Sequence, residues 1–253
     1  MARLARLGVG GWPHLVVQPV QQGQALWRDA QDAAALHQAL VEAARLHSVA
    51  VHAYRLSGAP AGAAGAEGSS EADAQGLALV VTPASDEALG LFMQAVGRRY
   101  VAGYNRRHAR QGSLWAGRFR STVLDPARYL LDAIQWVEQP AWPLVAAAPA
   151  RTCSLAHHLG AGSDALVSAA PAFWALGNTP FDREIAWRQR LEQGLPAATS
   201  QALTQAALKG WALVPPESVA PLEKLSGRRV QPRPRGRPRK TVANGEPPPN
   251  GTE

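Results

Sequence analysis

The order of hydrophobic periodicities along the first 140 residues leaves this chain few folds. WPHLVVQPV (12–20) is β-branched and partly alternating, and Pro13 restricts it to a strand start or an edge. DAQDAAALHQALVEAARLHSV (29–49) places Leu36, Leu40, Ala43 and Ala44 at helical spacing, with Asp29 or Asp32 suited to its start. VAVHAYRL (49–56) alternates again, setting Val49, Val51, Ala53 and Arg55 opposite His52 and Tyr54. LALVVTP (77–83) is a continuous apolar run and reads as a central strand. SDEALGLFMQAVGRRYVAGYNRRHARQG (85–112) is a second helix, with Ser85 as N-cap and Asp86 and Glu87 in the first turn. Its buried stripe is Leu89, Phe92, Met93, Val96 and Tyr100, and Gly112 can end it. FRSTVLD (119–125) is a fourth strand, and PARYLLDAIQWVEQP (126–140) is a third helix capped by Asp125 with Pro126 near N1. Strand, helix, strand, strand, helix, strand, helix predicts an α+β, ferredoxin-like fold: an antiparallel sheet with helices on one face.

Two stretches interrupt the pattern. Residues 57–76 hold five Gly and seven Ala, with no Val, Ile, Leu or aromatic residue. Such a segment buries too little apolar area to offset its ordering entropy and predicts a flexible loop between two strands. Residues 141–160 form a Pro/Ala-rich connector ending in AHHLG. A helical extension follows through 171–195, 200–213 and 218–227, with Thr179-Pro180 marking a helix start. The expected organisation is an α+β domain over 1–145, a helical extension over 146–227 and a disordered basic tail over 228–253.

Charge is distributed unevenly over these parts. Of 26 basic residues, eight fall in 224–240 (Lys224, Arg228, Arg229, Arg233, Arg235, Arg237, Arg239, Lys240), and the remaining 18 face 19 acidic ones. A second one-sign segment lies inside the fold: residues 88–124 contain seven arginines (Arg98, Arg99, Arg106, Arg107, Arg110, Arg118, Arg120) and no Asp or Glu. Tyr100, Tyr104, Trp115 and Phe119 are interleaved with them. A basic face that only keeps a protein soluble is one reading; a surface for a polyanion is the other. One cysteine, Cys153, excludes an internal disulfide and fits a reducing compartment. No apolar run approaches the roughly 20 residues that span a bilayer, and the basic N-terminus lacks the apolar core of a secretory signal.

Several segments together resemble the REP-associated tyrosine transposases, within the HUH-type single-tyrosine transposases of bacterial insertion sequences. They are ARL followed by GWPHLVVQ, LHSVAVHAYRL, and above all GRRYVAGYNRRHARQGSLWAGRFRSTVLDPARYLL. AHHLG, FWALGNTPFDRE, LEKLSGRR and RGRPRK extend the resemblance over nearly the whole chain. It implies cleavage and rejoining of single-stranded DNA through a phosphotyrosine, in bacterial cytoplasm close to the nucleoid. It also implies a histidine–hydrophobic–histidine triplet on a central strand that holds a divalent metal such as Mg²⁺ or Mn²⁺ against the scissile phosphate.

In this sequence the positions corresponding to the two histidines are Gly76 and Ala78, which offer no ligand atom, and no His-x-His occurs anywhere. The tyrosine position on the third helix is occupied by Trp136, and the Asn-Pro after it is reduced to Gln139-Pro140. Indole has a donor N–H but no nucleophilic oxygen. No catalytic residue, metal or cofactor is therefore expected. Tyr129, two turns earlier, is a weak substitute nucleophile set against its reading as an ordinary packing residue. Glu138 and His52 are the side chains that could revive the chemistry by approaching Trp136 and Ala78.

The DNA grip, by contrast, is retained in the sequence. The seven arginines can neutralise phosphates, with Tyr104 or Trp115 available to stack on an unpaired base. In the tail, Arg235, Gly236, Arg237, Pro238 and Arg239 resemble an AT-hook: Gly and Pro keep the backbone thin, so that arginines can enter a narrow A·T-rich minor groove. The expected partner is DNA, single-stranded or hairpin, and no membrane. Three readings stay open at this stage: a DNA-binding protein with impaired chemistry, a working transposase using Tyr129, and a copy without function.

Overall fold

The computed structural model describes residues 6–58, 76–142 and 151–232. Most of the Gly/Ala stretch, part of the connector, and the AT-hook-like residues Arg235, Gly236, Arg237, Pro238 and Arg239 lie outside the described residues.

The elements follow the expected order: β1 (His14–Pro19), α1 (Ala30–Leu46), β2 (Val49–Ser57), β3 (Gly76–Pro83), α2 (Ala88–Arg107), β4 (Arg120–Val123) and α3 (Leu130–Glu138). After a 3₁₀ turn at Gln139–Ala141 come α4 (Leu155–His158), α5 (Pro171–Trp174), α6 (Pro180–Gln193), α7 (Ala197–Lys209) and α8 (Pro216–Ser226). The four strands pair antiparallel in the order β2-β3-β1-β4, the ferredoxin-like arrangement.

Local chemistry sets most element ends. Asp29 caps α1, its Oδ1 accepting from the N–H groups of Gln31 and Asp32 at 3.0 Å each. Thr179 and Asp182 form a reciprocal capping box on α6, with Pro180 in the first turn. Ser85 is not the N-cap of α2: that helix begins after Glu87 without a side-chain cap. Asp86 is engaged elsewhere, accepting from Gly10 N–H at 2.7 Å. The helix also stops at Arg107 rather than Gly112, because Ala109 takes a left-handed backbone (φ 49°) that turns the chain out of the helical path.

Helices cover both faces of the sheet rather than one. Val16, Leu77, Leu79 and Val81 turn to a core shared with α1 and α2. Leu15, Ala78 and Val80 turn to a second core built with α3, α5, α6 and α7, including Ile134, Trp187 and Leu203. The unbroken apolar run of β3 is the physical cause, since a strand clothed on both faces needs no polar alternation. The helical extension also closes both sheet edges. Leu56 N–H donates to Thr152 at 2.8 Å and Ser168 N–H to Val51 at 2.7 Å along β2, while Leu213 N–H donates to Val123 at 2.8 Å beside β4.

In β2 the expected alternation breaks. A register shift between Val51 and Ala53 makes His52 a bulge residue. Val49 and Val51 before it, and Tyr54 and Leu56 after it, consequently share the first core, while Ala53 joins the second.

His14 on β1 is fully buried, its Nδ1 2.7 Å from the Trp12 carbonyl and its Nε2 accepting from Val9 N–H at 3.3 Å. Burial pushes its pKa down to about 4, and the Trp12 and Leu7 backbone and nearby Asp86 only partly oppose this. A histidine depressed in the folded state adds stability that is complete above its unfolded pKa, about 6.5, and is lost as pH falls toward 4. Acidification across that window is expected to remove about 3 kcal/mol through this group. Burial lowers His52 and His157 in the same direction. Urea unfolding at pH 7.5 and 4.5 measures the loss; a flat profile would overturn it.

Candidate nucleic-acid interface

The seven arginines of the basic segment divide by helix geometry. On α2, Arg99 and Arg107 turn toward α1. Arg99 meets Glu42 at 3.3 Å, both side chains nearly half exposed, a pair worth about 0–1 kcal/mol. Arg107 is more firmly committed: Nη1 bonds Asp29 at 2.8 Å and the buried Asp32 at 2.6 Å, and Nη2 bonds Asp29 at 2.5 Å. The same guanidinium holds the Asp29 carboxyl down at about 2. Asp32 also accepts from Arg28 N–H at 2.9 Å and lies 2.8 Å from His108 Nε2. Arg107 therefore ties the end of α2 to the start of α1. Arg110 bonds Asn105 at 2.9 Å and lies 5.6 Å from the centre of the Tyr104 ring.

Arg98 and Arg106 on α2 are exposed, as are Arg118 and Arg120. Among the described residues none of these four has a carboxylate within salt-bridge distance. Three depressions adjoin one another along Arg98, Arg118 and Arg120, with Arg106 outside their lining. The first, about 490 Å³, lies between α2 and Trp115 and takes in Arg98, Gln94 and Asn105. The second, also about 490 Å³, continues past Gln18 and Met93 to Arg6, Arg118 and Glu87. The third, about 430 Å³, runs from Arg6 and Arg118 to Arg120 and Lys209. Shared lining residues make them one groove, with Glu87 the only acidic residue among its lining.

The aromatic residues do not all serve this groove. Tyr104 is buried, its hydroxyl donating to the Ala25 carbonyl at 2.8 Å, so it cannot stack on a base. Tyr100 donates likewise to Leu26, and burial pushes its phenol well above the usual range. Phe119 is buried beneath Arg6, whose guanidinium lies 3.7 Å from the ring centre. Trp115 alone of the four is half-exposed on the groove wall. It is held by Val20 through an isolated bridge and by a 3.0 Å bond from its N–H to Ser113 Oγ.

The positions named for strand cleavage sit on the opposite side of the sheet or at its end. Gly76 opens β3 against Pro19; a Cβ there would lie 2.4 Å from the Gln18 carbonyl oxygen, so no larger residue fits without moving backbone. Ala78 and Trp136 are both buried in the second core. Tyr129 precedes α3, half-buried against that core, with the Arg128 guanidinium 5.6 Å from its ring centre.

Glu138 and His52 are both internally satisfied. Glu138 is fully buried: Oε1 accepts from Ser154 Oγ and lies 2.6 Å from His158 Nδ1, while Oε2 accepts from Trp187 Nε1 at 2.9 Å. His52 uses both ring nitrogens, 2.8 Å from the Ser168 carbonyl and 2.8 Å from Thr82 Oγ1. Among the described residues no group of three or more His, Cys, Asp or Glu side chains is placed to hold a metal ion. Cys153 is half-buried, and desolvation, followed by the Glu138 charge, pushes its thiol up to about 12. No described helix is long and apolar enough to cross a membrane.

Sequence reasoning missed Arg6 and Lys209, which reach the groove from the N-terminal segment and the end of α7. Only their charge was visible, and no local pattern joins positions so far apart. It also missed the knot around Glu138, although AHHLG and the helix start after Thr179 mark the segments that supply His158 and Trp187.

No protein-family model matches this chain, and no curated protein does. Among solved structures, a REP-associated tyrosine transposase bound to a REP hairpin is similar, with a TM-score of 0.48 and 10% identity over 67% of this chain and 96% of that one.

Proposed function

We propose that this chain is a transposase-like DNA-binding protein that grips DNA through the groove along α2, the loop after it and the start of β4, and that its strand-cleaving chemistry is impaired. The observation that carries this reading is a contrast between two places in the molecule. The groove presents Arg98, Arg118 and Arg120, exposed and, among the described residues, without carboxylate partners, beside a half-exposed indole. Unpaired cations lining an open groove suit a phosphate backbone, and the indole suits a base. The positions that the family resemblance assigns to metal and nucleophile, Ala78 and Trp136, are instead packed into an apolar core, and Gly76 has no room for a side chain. In this reading Tyr129 is a packing residue at the start of α3.

Anisotropy titration of the full chain with a hairpin DNA carrying single-stranded flanks tests the grip. Tight binding at 50 mM salt that weakens steeply toward 200 mM is expected; salt-independent or absent binding would sink the DNA reading. Incubating the same complex with Mn²⁺ and resolving it under denaturing conditions tests the chemistry, and a covalent protein–DNA adduct would show that cleavage is retained.

A further inference from the structure

The third depression gathers cations from three separate parts of the chain. Arg6 comes from the N-terminal segment, Arg118 from the approach to β4 and Arg120 from its first residue, and Lys209 from the last residue of α7. Among the described residues no acidic side chain lines it. Arg6 is held in place by the Phe119 ring beneath its guanidinium and by a 3.4 Å bond from Nε to the Phe119 carbonyl. Burial and the neighbouring Arg118 charge both lower its pKa. Two like charges brought together beside a fixed aromatic platform, with no counter-ion among the described residues, form an electrostatic arrangement that an external anion completes.

Lys209 reaches this place through several fixed contacts. Gly210 takes a left-handed backbone (φ 70°) and ends α7. The following chain is then stitched to β4: Thr122 Oγ1 donates to the Trp211 carbonyl, and Leu213 N–H donates to Val123 at 2.8 Å. The extension is thereby fixed against the same strand that carries Arg120.

We propose that Arg6, Arg118, Arg120 and Lys209 form a phosphodiester clamp, through which the helical extension takes part in gripping the DNA backbone. This rests on the DNA-binding reading above and adds to it that the extension supplies part of the grip. The clamp recognises backbone phosphate and carries no base preference, since guanidinium and ammonium groups in an open depression read charge.

The test compares salt dependence for the full chain and its Lys209→Ala, Lys209→Arg and Arg45→Ala variants on one flanked DNA hairpin. Each phosphate contact contributes about 0.9 to the slope of log K against log salt on duplex and about 0.7 on single strand. Lys209→Ala is expected to lower the slope by one such step, and Lys209→Arg to keep it. Arg45→Ala, an exposed change on α1 outside the groove, is expected to leave it unchanged. Wild-type binding with an unaltered slope in Lys209→Ala would overturn the clamp alone. Failure of the wild-type protein to bind DNA at all would overturn the underlying reading. Lys209-dependent capture by phosphatidylglycerol vesicles without DNA binding would reassign the site to a lipid headgroup and overturn the DNA assignment.

Discussion

Replacing Arg98, Arg106, Arg118 and Arg120 together by alanine is expected to remove most of the protein's affinity for DNA while leaving its fold intact. All four are exposed, and none has a carboxylate partner among the described residues, so their loss breaks no ion pair within the fold. Four phosphate contacts at about 0.9 each give a salt slope near 3.6, so a fourfold rise in salt weakens binding about 10²-fold. The quadruple variant should lose that share of the slope, keep the share carried by Arg6 and Lys209, and bind far less tightly at 50 mM salt. Arg107→Ala is the contrasting control, because its guanidinium is already committed to Asp29 and Asp32. It should lower thermal stability and leave the slope alone. A quadruple variant that kept the wild-type slope would place the DNA elsewhere on the molecule.

The contrast between Arg98 and Arg107 also marks how far the sequence could be read. Their charge and clustering were plain, and the register of α2 separates their faces. The partner of Arg107 is the buried Asp32, 75 positions away, and no local pattern announces it. Tyr104 was more legible than its expected role allowed: four residues after Tyr100, it continues the stripe of Phe92, Met93 and Val96 into the core. Asp29 as a cap followed from local chemistry, because a side chain there meets N–H groups two and three residues on. The bulge at His52 did not, since alternation says nothing about which strand carries an extra residue. β3 showed its two-sided burial as an uninterrupted apolar run, but what would cover its second face depended on helices more than 50 residues later. The ferredoxin-like order was thus readable from periodicity, whereas the groove needed Arg6 and Lys209 brought together by the fold.

Glu138→Ala is expected to have the largest effect on stability of any single substitution considered, about 3–5 kcal/mol. The carboxylate is fully buried at the end of α3 and joins two segments of the extension: α4, through its N-cap Ser154 and its last residue His158, and α6, through Trp187. Removing it strands the hydrogen of His158 Nδ1 and that of Trp187 Nε1 in an apolar core, where an unsatisfied donor costs about 1–3 kcal/mol each. Ser154 is less affected, because its hydroxyl also lies 3.3 Å from the Tyr54 carbonyl. His158 has little room to recover, with its ring centre 4.5 Å from that of Phe173 and its Nε2 without a partner among the described residues. Glu138→Gln keeps one acceptor oxygen and should cost less than Glu138→Ala. Since a domain of this size is held by roughly 5–15 kcal/mol, the alanine variant should unfold at a much lower urea midpoint, with the slope unchanged if both states keep their extent. The loss should appear first as faster amide exchange in α4 and α6, because Glu138 links these helices to α3. A cost below about 1 kcal/mol would mean that the three donors find other acceptors, and the knot could not then be what fastens the extension to the sheet.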